Sequence, residues 1–132
     1  MAQVEIDFQK TAGLVPAIIQ DHETGEVLML GFMNEFSLKQ TRESGEVVFF
    51  SRSRNKLWKK GESSGHLLKV KELRVDCDAD ALLVKVEAVG PGVCHEGYRS
   101  CFFRTISATG DGTVNAERTF HPEQVYGPEK SR

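Results

Sequence analysis

Short apolar runs separated by turn-forming residues dominate the chain, and they predict strands. Residues 14–20 and 27–33 flank the segment Asp21-His22-Glu23-Thr24-Gly25-Glu26, which predicts a hairpin. Residues 47–51, 67–75, 82–89 and 101–106 are further strands by the same pattern. The alternation in the second half of 82–89 places one face of the sheet in water. One helix is predicted after Asn34. Asn34 caps it, Glu35 lies in its first turn, Met33 and Leu38 hold the two staple positions, and Gly45 ends it. The fold class is therefore α+β, a strand-rich single domain with one or two short helices. Its strand edges must be covered, and dimerisation is one way to do so.

Composition narrows the class of protein. The chain has 132 residues, of which 39% are apolar and 27% charged. That excludes disorder over the whole length and collagen-like or mucin-like chains. No apolar run nears the roughly 18 residues of a membrane span. The first residues lack a basic stretch followed by an apolar one, so a cytoplasmic protein without membrane contact is expected. There is no internal repeat or linker. Residues 1–132 are read as one domain with a motif-bearing core of about 14–107 and a peripheral tail over 108–132, which holds three glycines and two prolines.

Net charge is −2, with no global pull toward nucleic acid. Its distribution says more. Residues 1–50 carry eight acids and three bases, whereas 51–75 carry eight bases and two acids. Asp76, Asp78 and Asp80 follow at once. A basic stretch beside carboxylates suits an anionic small molecule with a divalent cation, or only a solvated strand pair beside an acidic turn.

The segment Asp76-Cys77-Asp78-Ala79-Asp80 offers hard oxygens and a soft sulfur. Carboxylates suit magnesium or calcium, and thiolate suits zinc. On a flat strand alternate residues stand roughly 6.6 Å apart, so one ion meets all three aspartates only if the backbone bends. Asp76, Asp78, Asp80 and Glu87 also match positions of an EF-hand loop. Ala81 stands where that loop needs glycine, and strand rather than helix follows.

Three cysteines, Cys77, Cys94 and Cys101, argue by their odd number against a disulfide framework. Cys94 and Cys101 lie in a Gly/Pro-rich loop with His95 between them. Three thiols and one imidazole can bind zinc in a closed structural site, or three thiols can leave an open catalytic position for water. In the second case His95 is the natural base. The plain alternative is three small buried side chains and a loop histidine.

Residues 51–66 combine arginines, lysines, hydroxyls and glycines, the groups of a phosphate site. The candidate contacts are Arg52, Ser53, Arg54, Trp58, Lys60, Glu62, Ser63, Gly65 and His66. Trp58 can stack on a base or fill the core of a basic hairpin.

Together these segments resemble the phosphoribosyl-AMP cyclohydrolase family of histidine biosynthesis, in its monofunctional form. The resemblance rests on residues 51–54, 57–66 and 76–80, on 90–102 with its Cys-His-x5-Cys, and on Gly-Phe-Met-Asn within 29–34. It runs in register over about 14–107. It implies a hydrolase that opens the adenine ring of 1-(5-phosphoribosyl)-AMP at the N1–C6 bond. It also implies an intertwined homodimer, with one zinc and one magnesium per subunit. Carried over, Cys94 and Cys101 of one chain and Cys77 of its partner would bind zinc. Asp76, Asp78 and Asp80 would bind magnesium, and His95 is the candidate general base.

Two other classes compete. A zinc-stabilised nucleic-acid-binding module would use the basic stretch, and a redox sensor would use the thiols. An adenine deaminase is excluded, because no cysteine follows His121-Pro122-Glu123.

Overall fold

The computed structural model describes residues 3–126. Strands β1 (Val15–Asp21) and β2 (Val27–Met33) form the expected antiparallel hairpin, with an irregularity between Ile19 and Gln20. Helix α1 (Glu35–Ser44) follows directly. Its Asn34 carboxamide accepts the Ser37 N–H at 2.8 Å, and the Ser37 hydroxyl accepts the Asn34 N–H at 2.9 Å. Such a cap contributes about 1 kcal/mol. Met33 and Leu38 are both buried, as a staple requires, and Gly45 closes the helix at φ 75°.

Strand β3 (Val48–Ser51) runs next to β4 (Lys56–Lys59), placing Phe49 opposite Trp58. Strands β5 (Leu68–Val75) and β6 (Leu82–Ala88) complete a four-stranded sheet in the order β2-β1-β6-β5. The β1–β6 pairing is parallel and the others antiparallel. The short pair β7 (Arg104–Ile106) and β8 (Gly112–Val114) stands apart, and α2 (Pro122–Tyr126) is one short turn of helix. The α+β, strand-rich class is as expected.

The core follows from alternation. Val15, Ala17 and Ile19 of β1 are fully buried beside Leu82, Val84 and Val86 of β6. Val47, Phe49 and Leu38 close over them. Gly31 lets the Phe49 ring lie against β2, because a Cβ there would come within 2.5 Å of it.

Several elements differ from the sequence expectation. The polar stretch 56–59 is a strand, held by β3 rather than by its own pattern. Residues 101–103 are not strand. The Ser100 hydroxyl donates to Val27 O at 2.7 Å and accepts the Phe102 N–H at 3.0 Å, taking the place of a ladder. Beyond Ala108, Thr119 donates through its N–H to Gly97 O and through its hydroxyl to Pro91 O, both at 2.8 Å. The Arg118 guanidinium donates to Glu96 O at 2.6 Å. These bonds seat that part of the tail on the loop carrying Cys94. Residues 127–132 of the expected tail lie outside the described residues. Among the described residues, no helix is long and apolar enough to cross a membrane.

Candidate functional site

A cleft of about 1020 Å³ lies between β2, the β3–β4 hairpin and the loop that follows it. Arg52, Ser53, Arg54, Trp58, Lys60, Glu62 and Ser63 line it, together with His95 from the loop after β6. Gly65 and His66 are not part of the lining. His66 stands edge-on to Phe120 at 5.1 Å, with its Nδ1 buried and unpartnered among the described residues. Pattern reading missed the apolar wall of Leu30, Phe32, Phe49 and Phe50, and it missed Tyr126. The Phe49-Phe50 run before Ser51 was the available signal for that wall. Nothing local marks Tyr126, whose ring packs 5.3 Å from that of His95. Arg52 stacks its guanidinium 4.0 Å over the Phe32 ring. The lining thus interleaves aromatic rings with basic groups, which suits a flat anionic molecule.

Lys60 lies at the end of β4 and is only 4% exposed. Its ammonium donates to Val93 O at 2.8 Å. Burial pushes its pKa down, and the Cys101 and Cys94 sulfurs oppose that.

The thiol loop is fastened at both ends. Within it Cys94 N–H donates to Tyr98 O at 3.1 Å, and Val93 N–H donates to Arg99 O at 3.0 Å. Cys101 N–H donates to Leu28 O of β2 at 2.7 Å. Cys94 is buried and Cys101 exposed. The Cys94 thiol is pulled down to about 6 by its hydrogen bond with Cys101 and by the N–H groups of Glu96 and Tyr98, which together outweigh burial. A thiolate at neutral pH is the form that ligates metal. Cys77 is exposed in the turn between β5 and β6. Among the described residues of a single chain, neither Cys77 nor His95 joins Cys94 and Cys101 in a converged ligand set.

Between the two thiols, Arg99 reaches back to the β1–β2 turn. It pairs with Asp21 and donates from Nε to Glu26 at 2.9 Å. The Asp21 carboxylate also accepts the N–H groups of Glu23 at 2.8 Å and Thr24 at 3.1 Å. Burial raises the Asp21 pKa, but those N–H groups and the Arg99 charge win, and it ends below its ordinary value. A carboxylate depressed in the folded state adds stability above its unfolded pKa, and that stability is lost as pH falls through the folded value. Asp21→Asn is therefore expected to cost roughly 1.5–3 kcal/mol near neutrality. It should also flatten the loss of stability below about pH 4, measured by urea melts across pH. Equal melts for the two proteins at pH 7 would deny the clamp its role.

Asp76, Asp78 and Asp80 form a turn, not a flat strand. Asp76 Oδ1 accepts the N–H groups of Asp80 at 3.0 Å and Ala81 at 3.2 Å, and Ala79 adopts φ 62°. One carboxylate oxygen from each aspartate lies within 4.8 Å of the others. The bend a shared ion requires is present, and hard oxygens suit magnesium. Lys10 bridges Asp78 at 3.3 Å and Asp80 at 3.2 Å. A shared proton with Asp80, and then Lys10, lowers the Asp78 pKa, while the same sharing raises that of Asp80. The strand β6 that follows leaves no exit helix for an EF-hand.

The basic stretch is partly neutralised. Lys59 pairs with Glu46 at 2.5 Å, Lys71 with Glu87 at 3.5 Å and Arg74 with Glu72 at 2.6 Å. Arg52 and Arg54 line a concave cleft rather than an open face. The nucleic-acid-binding reading is not favoured.

A strand-rich α+β domain whose cleft is lined by aromatic rings, arginines and a histidine has the chemistry of a site for a small anionic molecule. A profile described as phosphoribosyl-AMP cyclohydrolase matches residues 29–103. The chain is 57% identical to the phosphoribosyl-AMP cyclohydrolase of Desulforapulum autotrophicum, covering 93% of this chain and 98% of that protein. It is 59% identical to that of Solibacter usitatus, covering 94% and 98%. With the enzyme of Haloquadratum walsbyi the identity is 54%, covering 95% and 90%. The chain belongs to the phosphoribosyl-AMP cyclohydrolase family.

Proposed function

We propose that the chain opens the adenine ring of 1-(5-phosphoribosyl)-AMP, a step of histidine biosynthesis, in the cytoplasm. Water adds at C6, the N1–C6 bond breaks, and the product is the formimino-aminoimidazole carboxamide ribonucleotide. The observation that carries this reading is the cleft itself, which joins Arg52, Arg54, Trp58 and His95 around one volume.

The chain's residues divide the work. Arg52 and Arg54, with the hydroxyls of Ser53 and Ser63, take the phosphates. Trp58 and the phenylalanine wall hold the purine by stacking. The ribosyl group on N1 withdraws electrons and makes C6 electrophilic. His95 accepts a proton from the attacking water and returns one to N1 as the ring opens. The water oxygen becomes the carboxamide oxygen, so the balance closes with one water consumed.

The donor chemistry fits two metals. Cys94 and Cys101, with the thiolate-favouring surroundings of Cys94, fit zinc, which when bound lowers the pKa of a coordinated water. The turned carboxylates Asp76, Asp78 and Asp80 would hold magnesium, which when bound would neutralise and orient phosphate oxygens. Cys77 stands exposed and separate from the other two thiols. We therefore read the zinc set as completed across a homodimer, by Cys77 of one chain with Cys94 and Cys101 of the other. Exposed apolar Phe102, Ile106 and Val114, close in sequence to Cys101, support a covered face there.

The test is turnover of phosphoribosyl-AMP by the purified protein with zinc and magnesium supplied, followed by the ultraviolet change on ring opening. Turnover is expected. A folded, dimeric sample that leaves the substrate intact would refute the reading.

A further inference from the structure

We propose that Lys60 is a positioning residue for the thiol pair, its buried ammonium serving as the fixed counter-charge to Cys94 and Cys101. The inference rests on the zinc reading above and reassigns Lys60 from the substrate to the metal loop.

The first observation is burial without a carboxylate. Lys60 is 4% exposed, and among the described residues it makes no ion pair with an acid. A buried charge persists only when an opposite charge or strong acceptor compensates it. Asp21, the other buried charge among the described residues, has Arg99 and two N–H groups. For Lys60 the opposing groups are the Val93 carbonyl at 2.8 Å and the two sulfurs.

The second observation is where that bond lands. Val93 immediately precedes Cys94 and is itself buried. Its N–H is taken by Arg99 O and its carbonyl by Lys60, so both of its polar groups are fixed. The side chain of Cys94 inherits that fixed backbone. Lys60 comes from a different element, the end of β4, so the bond ties the hairpin forming the cleft wall to the loop bearing the thiols.

Charge arithmetic points the same way. Three thiolates around a divalent zinc leave one net negative charge. A single ammonium beside Cys94 and Cys101 would bring such a group to neutrality. Groups that orient or neutralise metal ligands commonly change metal affinity by about 10–100-fold when removed.

The experiment is zinc affinity of the full-length protein, read by competition with a chromophoric chelator. The variants are Lys60→Arg, Lys60→Gln and Lys60→Met. Arg keeps the charge, Gln keeps a donor without charge, and Met keeps neither. Lys60→Arg is expected within about threefold of the unaltered protein, and Lys60→Gln and Lys60→Met about 10–100-fold weaker. Circular dichroism of each variant checks folding, and if Lys60→Met does not fold, the Arg and Gln pair decides alone. Unchanged zinc affinity in Lys60→Gln with a raised KM would overturn the inference and return Lys60 to the substrate. So would Lys60→Arg binding zinc as weakly as Lys60→Gln. An unaltered protein that takes up no zinc would instead overturn the metal reading, and this inference with it.

Discussion

Cys94→Ser is expected to give a folded protein that holds no zinc and turns over phosphoribosyl-AMP on the order of 10³-fold more slowly, or worse. A metal-activated water supplies several kcal/mol of barrier lowering, and each 1.36 kcal/mol is tenfold in rate. Serine keeps the volume of the buried Cys94 side chain, so the fold should survive. Its hydroxyl does not ionise near neutrality, whereas Cys94 is held at about 6. A fully active, zinc-free variant would end the catalytic metal. The same substitution also tests the shared site. Mixing inactive Cys77→Ser and Cys94→Ser chains leaves one intact ligand set in each mixed dimer, so about a quarter of the full activity should return. No recovery after verified exchange of chains would place all the ligands within one subunit.

His95→Ala is expected to lower kcat about 10²–10⁴-fold, the usual worth of a positioned acid or base. Zinc content should stay unchanged, because His95 does not converge with the thiols in the chain. KM should move little, since the groups proposed to hold the phosphates are Arg52, Ser53, Arg54 and Ser63 rather than His95. The Tyr126 ring packs against the imidazole at 5.3 Å and restricts its rotation. A variant with normal kcat and raised KM would make His95 a binding group, and the base would then have to be sought elsewhere in the cleft.

How much of this the sequence exposes depends on where the controlling interactions lie. Helix α1 was readable to its ends because Asn34, Leu38 and Gly45 act within one short stretch. The hairpin β1–β2 was readable for the same reason. The aspartates announced a cluster, but the bend that gathers them comes from Asp76 accepting two N–H groups and from Ala79 at positive φ. Neither follows from spacing. Strand β4 was hidden because Lys56 and Lys59 carry no apolar alternation, and Phe49 across the ladder holds Trp58 in place. Tyr126 was invisible, since its approach to His95 depends on tail residues bonding to the thiol loop. Local chemistry was legible, and contacts between distant segments were not.

The parallel pairing of β1 with β6 carries a consequence for how the molecule comes into being. Ala17 lies beside Leu82, so the central ladder of the sheet joins segments far apart along the chain. Closing a loop of that size costs about 3–4 kcal/mol of chain entropy before any contact repays it. The first hairpin and α1 can assemble early from neighbouring residues, but β1 gains its second partner only when β6 arrives. The thiol loop comes later still, and its anchors at Leu28, Val27 and Asp21 sit on that already paired hairpin. During synthesis Cys94 and Cys101 therefore emerge onto a scaffold that is nearly finished. A metal taken up by those two thiols would then be a closing event of biogenesis rather than its seed.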